Sequence, residues 1–232
     1  MVAGSRGSRP PRSVVLLSGG MDSATCLAEA ARRGEVIALT VLYGQRHARE
    51  VRAARALARR FRVRGHHVLR LPLGPLAPSA LTDRSIAVPA ARDHRSRIPP
   101  TYVPARNTIF LALALAVAES SGADSIYVGV NAIDYSGYPD CRPEFLEAFE
   151  RVARLATRAG VEQHRRIRIV APLLRLSKRD IVERGEHLRV PWALTWSCYR
   201  GGRRPCQRCD ACRLRARGFR EAGVVDPLVA SA

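Results

Sequence analysis

The sequence predicts an α/β protein: a parallel sheet with helices on both faces, followed by a cysteine-rich, metal-binding segment near the C-terminus. Three observations predict it. Apolar runs of strand length alternate with amphipathic runs of helix length, a Ser-Gly-Gly turn joins the first such pair, and four cysteines fall between residues 198 and 212. A chain of 232 residues is long enough to bury a substantial core in one domain with a small addition.

The first strand is Val14-Val15-Leu16-Leu17, apolar and half β-branched. It runs into Ser18-Gly19-Gly20-Met21-Asp22-Ser23 and then into a helix from Ala24 to Arg32, with Cys26, Leu27 and Ala30 at helical spacing. Two adjacent glycines let the backbone turn and approach a ligand, and the amides that open a helix favour an anion, so a phosphate is the natural guest. The pattern is neither GxxxxGK[ST] nor GxGxxG: serine hydroxyls and amides stand where a Walker lysine would be. Asp22 beside a phosphate is repulsive unless Mg²⁺ bridges the two or the carboxylate orients an amide or hydroxyl. A bare SGG would equally suit an ordinary strand-to-helix turn. SGGxDS directly after an apolar strand, however, resembles the PP-loop of ATP pyrophosphatases, enzymes that adenylate a carbonyl or carboxyl oxygen and release pyrophosphate. That resemblance makes the expected sheet Rossmann-like.

Val36 to Leu42 is a second strand, ending at Tyr43-Gly44-Gln45-Arg46-His47, where an open parallel sheet places ligand contacts. Glu50 to Phe61 is an amphipathic helix and Val68 to Leu71 a third strand, so the order β-α-β-α-β calls for right-handed crossovers. Residues 74–100 hold five prolines and little periodicity, and are expected to form a long mobile loop. The loop delivers Thr101-Tyr102-Val103-Pro104-Ala105-Arg106-Asn107 to a helix, Thr108 to Ala118, that is apolar nearly all round. Asn107 could cap that helix, and Arg106 at its mouth could reinforce phosphate binding or be one more surface arginine.

Ser125 to Val130 is a fourth strand, followed by the turn-rich run Asn131 to Arg142. There Asp134 and Asp140 could accept hydrogen bonds from a heterocycle such as guanine, with Tyr135 or Tyr138 to stack on it, or the run could be a plain Asp-rich turn. A helix introduced by Pro143, a short strand Arg168-Ile169-Val170 and a helix capped by Ser177-Lys178-Arg179-Asp180 complete the domain.

The net charge of +19 would suit a nucleic-acid partner. Of 39 basic residues, however, 38 are arginine and only Lys178 is lysine, and the arginines are spread along helices rather than interleaved with aromatics. They read as a solvated surface, and nucleic acid is not the expected partner. The longest apolar run is too short for a membrane span. Residues 1–12 are basic, Ser/Gly/Pro-rich and lack the apolar stretch of a secretory signal, so a disordered tail is expected.

Cys198, Cys206, Cys209 and Cys212 are spaced C-x₇-C-x₂-C-x₂-C. Four thiolates suit a closed tetrahedral structural zinc site, and flanking arginines would offset its charge. An iron–sulfur cluster uses similar spacings but has no evident use beside an ATP site. Cys26 and Cys141 stand apart as small buried residues.

Taken together, SGGMDS, YGQRH, VPARN, SGYPDCR and TWSCYRGGRRPCQRCDACRLRARGF closely resemble the 7-cyano-7-deazaguanine synthase family, from about Ser13 to Val225. The departures are Ala105 where VPxRN usually has glycine and Gln207 where CGxC is usual. The resemblance implies a cytoplasmic, commonly homodimeric ligase that forms 7-cyano-7-deazaguanine from 7-carboxy-7-deazaguanine, ammonia and ATP, with Mg²⁺ on the nucleotide and a structural Zn²⁺. It implies an ATP-binding α/β domain over 13–190, a zinc-binding segment over 191–225 and a last short tail, 226–232. Carried over by residue, Leu17, Ser18, Gly19, Gly20, Met21, Asp22, Ser23, Ala24, Thr25, Cys26 and Leu27 form the ATP loop. Ser18, Asp22, Ser23 and Arg106 carry the phosphate chemistry, Gln45, Arg46, Asp134, Tyr135 and Asp140 bind the base, and the four clustered cysteines hold zinc. The rivals are a PP-loop enzyme that modifies tRNA directly and a non-catalytic, zinc-stabilised nucleic-acid-binding module.

Overall fold

The computed structural model describes residues 10–46, 48–90, 98–131 and 138–230. Five parallel strands form one sheet: β1 (Arg12–Leu16), β2 (Glu35–Leu42), β3 (Gly65–Arg70), β4 (Ser125–Tyr127) and β5 (Arg168–Val170). Their order across the sheet is β3-β2-β1-β4-β5. The chain therefore winds outward from β1 through β2 to β3, then returns to the other side of β1 and winds outward again. The reversal between β1 and β4 opens a crevice at the carboxyl ends of those two strands, where ligands bind in open parallel sheets.

β1 shows why this sheet is covered on both faces. Val14 enters a core with Ile37, Leu39, Ile126, Leu111 and Leu115, whereas its neighbour Val15 enters a second core with Ala24, Leu27, Leu57 and Ile181. Successive side chains of a strand point to opposite faces, so a strand apolar at every position must be buried twice. One face is covered by α3 (Arg106–Ser121), α4 (Pro143–Leu155) and the one-turn α5 (Arg158–Val161), and the other by α1 (Met21–Arg33), α2 (Arg49–Arg60) and α6 (Lys178–His187). On α2, Val51, Ala54, Leu57 and Ala58 are buried while Arg52, Arg55, Arg59 and Arg60 are exposed, the solvated arginine face read from the sequence. α3 is less enclosed than its composition suggests, because Ala112 and Ala116 lie on an exposed outer face.

Several boundaries differ from expectation. β1 begins at Arg12, inside the expected tail, because its guanidinium is buried against Glu35, with Nη2 2.6 Å from Oε2. The expected mobile loop has no regular helix or strand over residues 74–90, but it packs as part of the core. Ala77 and Leu81 join the α3 side, and Ala80 and Val88 pack with the clustered cysteines. Arg46 secures it by donating to the carbonyls of Ala80, at 2.7 Å, and of Asp83, at 2.8 Å, and also to that of Ile86. Asn107 does not cap α3. Ala105, in the left-handed region at φ 54°, is the cap position, and the Asn107 side chain instead donates to the Asp140 carbonyl at 3.1 Å.

The C-terminal segment carries α7 (Asp210–Glu221) and the short α8 (Pro227–Ala230). The expected tail is tied down at its start, since buried Arg215 donates to both Asp226 carboxylate oxygens at 2.7 and 2.8 Å and to Thr195 Oγ1 at 2.7 Å. α7 lies directly on the start of α6, close enough that a Cβ at Gly218 would stand 2.8 Å from both the Cβ and the carbonyl oxygen of Lys178. Gly218→Ala is therefore expected to force the two helices apart at a cost of ~1–3 kcal/mol, read as a lower denaturation midpoint in urea.

Candidate active site

The glycine loop after β1 sits at the switch point. Gly19, at φ +89°, presses against α2 so closely that a Cβ there would lie 2.4 Å from the Glu50 carbonyl oxygen. Gly20 is the N-cap of α1 and offers no side chain to take the helix's first amides, which leaves them for an incoming anion. The loop is held by its own serines. Ser18 Oγ and Ser23 Oγ are 3.0 Å apart, the Gly19 amide donates to Ser23 Oγ at 3.2 Å, and Ser23 Oγ donates to the Gly20 carbonyl at 3.1 Å. Opposite it runs the extension of β4, where a Cβ at Gly129 would meet the Ser23 amide nitrogen at 3.0 Å.

Asp22 projects from the first turn of α1, and both its oxygens accept hydrogen bonds from Lys178 Nζ, at 2.9 and 2.7 Å. The lysine thus offsets the charge of the carboxylate beside the loop, a partner for Asp22 that the sequence reading did not name. Lys178 opens α6, whose capping box is formed as expected: the Asp180 amide donates to Ser177 Oγ at 3.2 Å and the Ser177 amide to Asp180 Oδ2 at 2.9 Å. The lysine side chain is 3% exposed. Sequence reading passed over Lys178 as part of a cap, yet one signal pointed to it: it is the single lysine among 39 basic residues.

One cavity joins these groups. Its lining includes Leu17, Ser18, Gly20, Met21, Asp22 and Ser23 from the loop, Arg106, Gln45, Glu50 and Lys178, and the rings of Tyr43, Phe110, Tyr138, Trp196 and Tyr199. Of the expected loop residues, Gly19 faces α2, while Ala24, Thr25, Cys26 and Leu27 are buried inside α1. Arg106 lies over the Tyr43 ring, 5.7 Å from its centroid. Burial works against its charge, but Tyr43, Tyr138 and Asp140 more than offset this, and the guanidinium is held ionised above its ordinary range.

Two expected base-binding residues do other work. Arg46 spends its guanidinium on carbonyls of residues 80–86. Asp140 is buried, accepts from the Asn107 amide at 3.0 Å and so satisfies the start of α3, and it does not line the cavity. Asp134 and Tyr135 lie outside the described residues. Gln45 does reach the cavity, with Oε1 accepting from the Tyr43 amide at 2.8 Å and Nε2 donating to Glu50 Oε2 at 3.4 Å. Glu50 is a carboxylate that sequence reading left as a helix start. Burial pushes its pKa up to about 7, against the opposing pull of Arg106 and Gln45. Burial likewise raises the Cys141 thiol to about 12, so this cavity-lining cysteine stays protonated and is no nucleophile.

The clustered cysteines lie behind the same site, packed against Trp196 and Ala211, which line it. Their four Sγ atoms lie within 4.8 Å of one another, with Cys206 and Cys212 3.9 Å apart. A tetrahedron of sulfurs around an ion at about 2.3 Å has edges of about 3.8 Å, so the donor set fits a four-thiolate metal ion. The Cys206 amide donates to Cys198 Sγ at 3.3 Å and the Cys209 amide to Cys206 Sγ at 3.4 Å. The segment is no appendage: the Trp196 amide donates to the Gly19 carbonyl at 2.8 Å, and Trp196, Ser197, Tyr199 and Ala211 line the cavity.

A doubly wound parallel sheet with a glycine loop and an uncapped helix start at its switch point, and a four-cysteine segment beside the crevice, defines the structural class. Within it, the model of the family described as queuosine biosynthesis protein QueC matches residues 12–223, and the chain belongs to that family. It is 59% identical over 227 residues to a 7-cyano-7-deazaguanine synthase of Anaeromyxobacter dehalogenans, spanning 95% of this chain and 96% of that protein. It is 58% identical over 220 residues to one of Azoarcus sp., spanning 94% and 96%. To one of Gloeothece citriformis it is 53% identical over 214 residues, spanning 92% and 93%.

Two outcomes are expected from this geometry. Lys178→Met leaves Asp22 unpaired beside the loop and should cost about 3 kcal/mol, whereas the double variant with Asp22→Asn should recover part of that loss in a double-mutant cycle by urea unfolding. Glu50 is protonated more readily in the folded than in the unfolded chain. As the pH rises from about 4.5 the unfolded chain ionises first and stability falls, until the folded carboxyl has also ionised above about 7. Glu50→Gln is therefore expected to be the more stable protein at pH 8, by on the order of 2–3 kcal/mol, with the difference vanishing near pH 4, as measured by thermal unfolding across that range.

Proposed function

We propose that the protein is an ATP-dependent carbon–nitrogen ligase that converts 7-carboxy-7-deazaguanine and ammonia to 7-cyano-7-deazaguanine. The observation that carries this reading is the cavity at the sheet's switch point, whose lining combines the glycine loop with aromatic rings, a carboxylate and a carboxamide. Family membership supplies the substrate.

The chemistry asks the protein for position and charge rather than for a nucleophile. A carboxylate is a poor acyl donor because oxide would have to leave. Its oxygen therefore attacks the α-phosphorus of ATP, pyrophosphate departs, and an acyl adenylate forms. Ammonia adds to the acyl carbon, AMP leaves, and a proton is lost to give the amide. The amide oxygen is then adenylated by a second ATP, nitrogen gives up its protons, and departure of AMP leaves the nitrile. The loop and the first turn of α1 receive the phosphates, and Lys178 and Arg106 offset the charge that builds as pyrophosphate departs. Mg²⁺ would accompany ATP, shielding its phosphates. Cys198, Cys206, Cys209 and Cys212 would hold one Zn²⁺ in a structural role, bracing Trp196 against Gly19. Cytoplasmic location and a homodimer complete the proposal, on the family resemblance.

Mass spectrometry of products tests the reaction. 7-Carboxy-7-deazaguanine and its amide are each expected to stimulate ATP consumption and to yield the nitrile with AMP and pyrophosphate. Guanine, which lacks the oxygen to be activated, should not, and stimulation by guanine or by tRNA alone would overturn the assignment. Elemental analysis is expected to find one zinc per chain. Its removal by a chelator should unfold the 191–225 segment, since binding energy on the order of 10 kcal/mol is coupled to folding at such sites. Iron with acid-labile sulfide would refute the zinc assignment.

A further inference from the structure

We propose that Glu50, supported by Gln45, reads the donor edge of the heterocycle, the adjacent ring N–H and 2-amino group of a guanine-like base. The inference rests on the substrate class proposed above and assigns the residues that select it.

Glu50 lines the cavity and, among the described residues, makes no direct ion pair, Arg106 acting on its charge only from a distance. Its Oε2 takes one long hydrogen bond, 3.4 Å, from Gln45 Nε2. Both reactants that enter this cavity, ATP and a heterocyclic carboxylate, are anions. A carboxylate facing them is unfavourable unless it meets donors that they carry. Its surroundings decide which donors. Tyr43 and Phe110 line the same cavity, with ring centroids 5.6 Å apart and tilted by 59°, and aromatic walls suit a flat ring better than a hydrated cation. Gln45 has its carbonyl oxygen committed to the Tyr43 amide, so its amide nitrogen keeps a hydrogen for an acceptor on the same ligand. A carboxylate beside an amide donor matches the lactam side of guanine, which presents two adjacent donors and then an oxygen. Adenine presents a donor next to a ring-nitrogen lone pair, which the carboxylate would repel. Glu50 thereby also keeps the adenine of ATP out of the base end of the cavity. Of the two aspartates that the sequence suggested for this role, Asp134 lies outside the described residues, and Asp140 accepts from the Asn107 amide and does not line the cavity.

The test compares 7-carboxy-7-deazaguanine with its analogue lacking the 2-amino group, using the full zinc-loaded chain with ATP and ammonium and following the nitrile. The wild type is expected to prefer the amino compound by about tenfold to a hundredfold in kcat/KM. Glu50→Gln should erase most of that preference, chiefly through KM of the amino compound, while KM for ATP changes by less than about threefold. Glu50→Asp, which keeps the charge but withdraws it by one methylene, and Gln45→Ala should each reduce the preference in part, and they serve if Glu50→Gln does not fold. A preference that survives all folded variants, or a fall in kcat alone with the preference intact, would overturn the assignment of Glu50 while leaving the proposed reaction standing. A wild type that makes nitrile from neither compound would overturn both.

Discussion

The ion pair between Asp22 and Lys178 is the constraint on which the site depends. It spans 156 positions of sequence and joins the first turn of α1 to the first turn of α6, with the lysine side chain almost fully enclosed. A lone carboxylate next to a phosphate-receiving loop would repel its ligand, and a lone buried ammonium would be costly to desolvate. Together they leave the loop with its uncapped helix amides and little negative charge beside them. The surroundings are built to this pair. Ser177 and Asp180 cap the helix that presents the lysine, and Gly218 lets α7 close over its backbone.

A second coupling runs from the cysteine cluster to the same loop. The Trp196 amide holds the Gly19 carbonyl, and the Arg49 guanidinium lies over the Trp196 ring at 4.7 Å. Arg200 donates to the Val88 carbonyl at 3.1 Å and fixes the end of the irregular 74–90 segment, whose Ala80 and Val88 pack with the cysteines. The cysteine-bearing segment, the proline-rich connection and the glycine loop therefore order one another. The Trp196 amide thereby links the cysteine segment to the glycine loop although no cysteine touches it.

Much of this architecture was legible because it depends on local periodicity. The doubly apolar Val14-Val15 pair, the glycine turn, the arginine face of α2 and the Ser177–Asp180 cap each follow from neighbouring residues, and each stands where the pattern puts it. The cysteine spacing likewise announced a cluster that the fold assembles. What escaped depends on contacts distant in sequence. Nothing near Lys178 says that Asp22 faces it, nothing near Glu50 says that its side chain turns into the cavity, and Arg46 and Asp140 looked free because the carbonyls and amide they serve lie 33 to 40 positions away. The proline-rich run misled in the same way. Its few apolar residues show no period, yet Ala77, Ala80 and Leu81 are buried, because packing in irregular chain leaves no periodic trace.

The solitary lysine also makes the chain a substrate for a sharply informative protease. An enzyme that cleaves only after lysine has a single possible cut, between Lys178 and Arg179 in the first turn of α6, where the Lys178 side chain is enclosed beneath α7 and Arg179 is exposed. Scission there separates the glycine-loop fragment from the cysteine-bearing one. Because Lys178 is enclosed there, the rate of appearance of two fragments reports how often the start of α6 opens beneath α7.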